Sequence, residues 1–487
     1  MPSTLRRSRG DGPSSPDGRC DEVVNVYFAN WVLAHDIDSH LLASDSPRRV
    51  QDGTPIILDE DMRPMEPWCT FLRLYCDNLS ANSVKAYARD TLAFARFLEA
   101  RQTGVVDVAE SDLVAYRAQQ LATGLSWRSW GRHLVVIRAL FTYLYETGQR
   151  DTVPWIQVGS RSVVSPRIPQ TELDVRALSH AQWIALRDIG FGGQLPNGEM
   201  DCSYRGRSTV RNVCAVELAL TTGMRLSEWS TLLDCEIAYD LRGVSVALQA
   251  CAKNARSRRV YIPASTIASI NLYRNTERVA LVRKCQTTLR SKLASLAVVT
   301  EVDHSAGKLL YRSGTENKRT PIAAIPIELR RRLVRIDDSG FIEPLSLFVG
   351  KGGKPPTQRR WHQYFTEANE RLGMLGKLFP GTGRAVTPHD LRHTFAIVML
   401  RSLQQRAADL ERSRPSNGFG TISEHIIHNP LLTLQRLLGH ASPSTTMVYL
   451  RYVDESDDLI QRAFESWGDE TKTYADYALE ALETRTL

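Results

Sequence analysis

The chain has 487 residues, 43% of them hydrophobic and 24% charged, a content that supports well-buried cores and excludes a disordered chain. At roughly 150 residues per domain, the length implies two or three domains. A formal charge of +7 and a pI of about 9.0 favour a polyanionic partner such as nucleic acid, although many basic proteins bind none.

No run of about 18 apolar residues occurs, so no membrane-spanning segment is expected. The eight cysteines, at 20, 69, 76, 202, 214, 235, 251 and 285, form no Cys-x-x-Cys pair. They read as reduced thiols, and the expected compartment is the cytoplasm. Residues 1–20, MPSTLRRSRGDGPSSPDGRC, lack the apolar core of a signal peptide and read as a flexible basic tail.

Residues 21–64 form an amino-terminal extension, helical in pattern over 21–45, with a short strand in a loop over 50–63. Residues 65–150 are expected to form a small domain of four helices. Leu72, Tyr75 and Leu79, then Val84, Tyr87, Leu92, Phe94, Phe97 and Leu98, recur at helical spacing. Ser80-Ala81-Asn82-Ser83 breaks this run, and Ser80 or Asn82 can cap the second helix. A third helix starts near Glu110 and stops at Gly124; a fourth spans Ser126 to Tyr145 and ends by Gly148. Arg128, Arg132, His133 and Arg138 give this last helix either a basic binding face or a merely solvated one.

Residues 151–175, with Pro154, Pro166, Pro169 and Gly159, read as a linker. A second domain, 176–455, opens where Ser179 can cap the helix HAQWIALRDI. STVRNVCAVELALTTGM is a long helix reaching Gly223. VSVALQACAK and RRVYIP alternate on either side of Asn254-Ala255-Arg256-Ser257 and read as a β-hairpin. Residues 265–385 are mixed and loop-rich, with a basic helix near ELRRRLVRID. Helices return from Thr387, and 456–487 reads as a helical tail.

The chemistry concentrates late in the chain. LLGHASPSTTMVYLRY places His440 in a Leu-Gly-His turn and Tyr449 nine positions later. Between them Ser442-Pro443 starts a helix, with Ser as cap and Pro in the first helical position, so Tyr449 falls about two turns in. Cleaving a phosphodiester with a protein nucleophile needs cations on the non-bridging oxygens, a nucleophile held in line and a proton donor for the leaving alcohol. Arginine suits the first task, because its planar fork bonds two oxygens and stays charged. Arg225 follows a glycine in TTGMRLSEW, with Glu228 three positions on; Arg392 shares a helix face with His389 in TPHDLRHTF. Each arginine alone is as readily a surface residue in an ion pair. Lys253 stands at the hairpin tip, and His393, beside Arg392, reads as a packing residue or as a support behind the residues that touch the ligand.

TGMRLSEW, the hairpin lysine, HDLRHTF, LLGH and a tyrosine nine residues on together resemble the tyrosine recombinase (phage integrase) family. The resemblance covers residues 67–465, with a looser match in the middle of the catalytic domain. It implies a mainly α fold with a small β-sheet: a helical core-binding domain and an α/β catalytic domain that clamp DNA between them. It assigns Arg225 and Arg392 to the scissile phosphate, His389 to proton transfer with the tyrosine, and His440 to a hydrogen bond on the phosphate. Lys253 would be the acid for the leaving 5′-hydroxyl, with Arg256 and Arg258 as competitors on the same hairpin. Tyr449 would attack to give a 3′-phosphotyrosine, with Tyr452 the rival nucleophile.

The resemblance implies no metal and no cofactor. It implies a homotetramer acting on two double-stranded DNA sites, with 456–487 docking on a neighbouring subunit. Stretches near 285–340 and 408–430 exceed the family's compact pattern, as loop decoration or as added contacts. They favour integration or excision of a mobile element over chromosome-dimer resolution. The rival readings are a type IB topoisomerase-like enzyme and a catalytically silent DNA-binding relative.

Overall fold

In the computed structural model, the described residues are 6–7, 24–29, 53–77, 79–157, 162–164, 177–239, 242–252, 256–314, 316–375, 385–412 and 429–452. Lys253, the stretch 413–428 and the tail 456–487 lie outside them. The chain divides into two compact units, Met1–Glu172 and Leu173–Leu487.

The first unit carries a small antiparallel sheet, β1 (Arg6–Arg7), β2 (Asn25–Phe28) and β3 (Pro55–Leu58), in the order β1-β2-β3. Its four helices are α1 (Trp68–Tyr75), α2 (Ala81–Ala100), α3 (Glu110–Ala122) and α4 (Trp127–Glu146). Ser80 caps α2 and Ser126 caps α4, each accepting the N–H three residues on. Two expectations fail in the extension and tail. NVYF is a strand rather than helix, because β3 supplies a partner that pairs Val26 with Ile57. Arg6 and Arg7, expected in a flexible tail, pair with Phe28 and Tyr27 respectively.

Phe71, Phe94, Tyr116, Trp130 and Phe141 build the core of this unit. The expected basic face of α4 is not intact. His133 is buried, bonded through Nδ1 to the Tyr116 hydroxyl at 3.0 Å and through Nε2 to Asp90 at 3.1 Å. Arg132 forks onto the same carboxylate at 2.6 and 2.9 Å. Burial pushes the Asp90 carboxyl up, but these bonds outweigh it and hold it below the usual range. Part of the expected linker also belongs to the unit: Val164 is buried in its core and Trp155 meets Phe141 edge-on at 6.1 Å.

The second unit opens with α5 (His180–Ile184), capped by a Ser179–Gln182 box and continued as a π-helical stretch to Phe191. Then come α6 (Thr209–Thr222), α7 (Leu226–Trp229) and the hairpin of β4 (Val244–Leu248) and β5 (Arg258–Ile262). Helices α8 (Ala264–Tyr273), α9 (Val279–Lys284) and α10 (Gln286–Ser291) follow.

The region expected to be loop-rich holds a five-stranded sheet. Its strands are β6 (Ala297–Asp303), β7 (Lys308–Ser313), β8 (Glu316–Pro321), β9 (Leu333–Ile336) and β10 (Ile342–Pro344), in the order β10-β9-β6-β7-β8. Only β6 and β9 run parallel. The basic run ELRRRLVRID is not one helix: a single turn, α11 (Ile327–Arg330), gives way to β9. Arg330 is buried and forks onto Glu236 at 2.8 and 2.9 Å, so the run faces the interior there.

The remaining helices are α12 (Gln358–Met374), α13 (Pro388–Arg412), α14 (Pro430–Leu438) and α15 (Pro443–Met447). The main core gathers Trp229, Tyr273, Phe348, Trp361 and Phe365, with Trp229 against Trp361 at 4.7 Å. A smaller cluster of Phe395, Leu400, Leu434, Leu438 and Tyr449 joins α13 to α14 and the chain beyond it. The protein is mainly α with small sheets. Among the described residues, every cysteine is a free thiol and no helix is long and apolar enough to cross a membrane.

Candidate active site

Helix α6 ends at Gly223 in the left-handed conformation, φ +61°. A Cβ there would overlap the Phe395 ring, so glycine is required on two counts. Two residues on, Arg225 caps α7. Its N–H donates to Glu228 Oε2 at 2.7 Å and its guanidinium approaches Oε1 at 3.4 Å. Glu228 is fully buried and also takes both arms of Arg258, at 2.7 and 2.5 Å. Burial raises the Glu228 carboxyl, but the Arg258 bonds more than reverse this and keep it ionised.

Helix α13 starts at Pro388, after Thr387 donates its N–H and hydroxyl to Asp390 Oδ2 at 2.7 and 2.9 Å. His389, Arg392 and His393 project from its first two turns. Arg392 is buried and donates to the carbonyls of Gly223 and Leu438, each at 2.6 Å. Those carbonyls lie at the carboxyl ends of α6 and α14, where the helix dipole favours a cation. Burial first, and then Arg225, lowers the Arg392 guanidinium, which remains charged at neutral pH.

Helix α14 is capped by Asn429 and ends at Gly439, φ +65°, where a Cβ would come within 2.8 Å of Arg258 Cδ. His440 follows, its Nδ1 2.9 Å from the Thr446 hydroxyl. Ser442 caps α15 with Pro443 at the first position, as its sequence predicts. The helix is shorter than expected. It stops at Met447 and the backbone tightens into a 3₁₀ turn over Val448–Tyr452, so Tyr449 lies in that turn. Tyr449 is 3% exposed, stacks nearly parallel on His440 with centroids 6.2 Å apart, and places its hydroxyl 3.0 Å from His393 Nδ1.

Arg225, His389, Arg392, His440 and Tyr449, distant in sequence, therefore meet in one place. Burial pushes the Tyr449 phenol up, against the pull of Arg392 and Arg225. Burial, then Arg392, Arg225 and Arg258, depresses His440 to about 3, so its ring is neutral at ordinary pH. Arg225 and Arg258 bond the Glu228 carboxylate, and Arg392, which acts on it from further off, is itself held by uncharged carbonyls. That surplus of positive charge suits an anion with several oxygens.

Three residues of this site were not singled out for these parts by the sequence. His393, read as a packing or supporting residue, bonds the Tyr449 hydroxyl; its position four after His389 was the available signal. Arg258, read as a competitor of Lys253, anchors Glu228; alternation along β5 puts it on the same face as the buried Val260 and Ile262. Thr446 carries no sequence signal beyond its place in α15.

Two family models match the chain: the phage integrase N-terminal SAM-like domain over residues 68–148 and the phage integrase family over 200–408. Together they take in more than half of the chain, and the His440–Tyr449 stretch lies beyond the second. Tyrosine recombinase XerC of Roseiflexus castenholzii is 24% identical over 392 residues, 79% of this chain and 88% of its own. Tyrosine recombinase XerD of Mycobacterium tuberculosis is 25% identical over 392 residues, 78% of this chain and 91% of its own. A crystal structure of XerH site-specific recombinase bound to palindromic difH substrate, a post-cleavage complex, aligns with a TM-score of 0.46 at 16% identity. That alignment covers 83% of this chain and 86% of the other. The chain belongs to the phage integrase family, the tyrosine recombinases, enzymes that cut and rejoin DNA.

Proposed function

We propose that this enzyme recombines specific double-stranded DNA sites in the cytoplasm through a covalent 3′-phosphotyrosine at Tyr449. The observation that carries the reading is the convergence of a buried tyrosine hydroxyl with Arg225 and Arg392, whose charge is only partly compensated. In this reading Arg225 and Arg392 grip the scissile phosphate and stabilise the charge that develops on it. His440, neutral and with Nδ1 taken up by Thr446, presents Nε2–H to a phosphate oxygen. His389 serves proton transfer, and Lys253 protonates the leaving 5′-oxygen.

Residues 65–150 act as the core-binding domain and 176–455 as the catalytic domain. Four protomers act on two DNA sites, with 456–487 docking between subunits. The substrate is a mobile element that is integrated or excised. The test is a search for a covalent adduct on denaturing gels, using nicked DNA fragments from beside the protein's own gene. Wild-type protein should give a shifted band, and Tyr449→Phe should give none while still binding the fragments. An adduct that persists in the variant would move the nucleophile, first to Tyr452.

A further inference from the structure

We propose that His393 is a catalytic residue of this site: its Nδ1 takes the phenol proton as Tyr449 attacks and returns it when the strand is rejoined. The inference rests on Tyr449 being the nucleophile, and revises that reading in one respect: the phenol proton passes to His393 rather than to His389. Three histidines stand near the tyrosine, and their geometry separates them. His393 Nδ1 is 3.0 Å from the hydroxyl, within range for direct transfer. His440 lies parallel to the phenol ring at 6.2 Å, with its Nδ1 bonded to Thr446 instead. His389 contacts His393, edge-on with ring centroids 4.2 Å apart, one turn earlier on α13. His389 is thus placed to orient His393.

The site also needs such an acceptor. Tyr449 is 3% exposed in a pocket of Phe395, Leu434 and Leu438, so bulk water has little access to its proton. Tyr449 from the 3₁₀ turn, His389 from its own helix and His440 from the end of α14 all act on His393. Arg225, from the cap of α7, acts on the same cluster. An incoming phosphate would bring the negative charge that stabilises the imidazolium as it forms.

The atoms balance as follows. His393 begins neutral, with its proton on Nε2 and a lone pair on Nδ1. The O–H bond of Tyr449 breaks towards Nδ1, the phenolate oxygen bonds to phosphorus, and the P–O5′ bond breaks. The 5′-oxygen takes its proton from a separate acid, Lys253 in the reading above. On rejoining, the 5′-hydroxyl returns its proton to that same acid as its oxygen attacks phosphorus, the P–O bond to Tyr449 breaks, and the imidazolium returns its proton to the phenolate. No oxidant, reductant or metal enters.

The test is single-turnover cleavage of a nicked DNA site by the whole protein, over a pH series, with His393→Gln and His393→Asn. Each is also made with 3,5-difluorotyrosine at position 449, whose more acidic phenol needs less help from a base. Both variants should cleave about 10²- to 10⁴-fold more slowly while binding the site normally. The acid limb of the rate profile should vanish, and difluorotyrosine should restore most of the variants' loss while barely changing the parent. Cleavage within about threefold of wild type would overturn the proposal. So would a loss that difluorotyrosine does not restore, since misplacement or misfolding of the site would be blind to phenol acidity. Tyr449→Phe is run alongside. An adduct in that variant would bring down the nucleophile assignment itself, whereas an inactive Tyr449→Phe with an unimpaired His393→Gln would bring down this inference alone.

Discussion

Arg258 and Glu228 meet fork to fork, both guanidinium arms on the two oxygens of a carboxylate with no exposed surface. Arg258 Nε also donates to the Leu437 carbonyl at 3.2 Å, while Glu228 holds the backbone and side chain of Arg225. One ion pair thus ties β5 to α7 and to the end of α14. Removing one partner strands a buried charge, which costs about 3–5 kcal/mol. Arg258→Ala should therefore lower stability by about that amount in urea unfolding of the whole chain, and slow DNA cleavage through misplacement of Arg225. Arg258→Lys, which keeps the charge and loses the fork, should recover only part. An Arg258→Ala protein as stable as wild type would contradict this account.

Gly223 supplies one of the two carbonyls that hold Arg392. Gly223→Ala adds a Cβ at positive φ and drives it into Phe395. The conformational term alone is about 1–2 kcal/mol, and the overlap adds to it. Melting should fall accordingly. Cleavage should fall further than the lost folded fraction explains, because the arginine's seat moves with the backbone. Equal losses in folding and cleavage would reduce Gly223 to a packing residue.

Thr446 is buried and its hydroxyl meets His440 Nδ1. Donation of the hydroxyl proton to Nδ1 leaves the histidine's own proton on Nε2. Thr446→Val keeps the shape and removes that choice, so cleavage should drop about tenfold, the equivalent of roughly 1.4 kcal/mol, or one hydrogen bond. Thr446→Ser should restore it. Failure of serine to rescue would mean that the methyl group matters and the hydroxyl does not.

His440 is held at about 3 in the folded site against an ordinary 6.5. As pH falls below 6.5, the unfolded chain takes up a proton at this ring that the folded chain refuses until near 3. The stability tied to the neutral ring is therefore whole above the upper value and lost progressively towards the lower one. Thermal unfolding should shift down across that window, and His440→Asn should flatten the slope. A variant with the wild-type pH dependence would rule out His440 as the titrating group.

Much of the site could be read from the sequence because it is carried by short local motifs. Gly223 before Arg225, Pro388 before His389, and Ser442-Pro443 before Tyr449 are caps and turns whose chemistry is written in adjacent residues. What the sequence hid was long-range. β8, ENKRTP, offers almost no apolar alternation because it is an exposed edge, and the sheet around it passed for loop. NVYF became a strand through a partner about 30 residues away, which periodicity does not see. His393 passed for packing because its value lies in a hydroxyl 56 positions on. Basic runs misled for one reason in two places. His133, expected on a basic face of α4, and Arg330, expected in a basic helix, both turn inward to carboxylates supplied by distant elements.

The double seat of Arg392 joins two parts of the site. Its guanidinium bridges the last turn of α6 and the last turn of α14, and α14 runs on through Gly439 into the segment that carries Tyr449. A displacement of that segment that carried the end of α14 with it would take the Leu438 carbonyl from Arg392 as well as the Tyr449 hydroxyl from His393. Such a movement would leave a buried cation with one carbonyl in place of two, so a retracted Tyr449 and a loosened Arg392 would go together. On the proposed roles, a protomer in which the two moved together would be ready to grip and cut, or ready for neither.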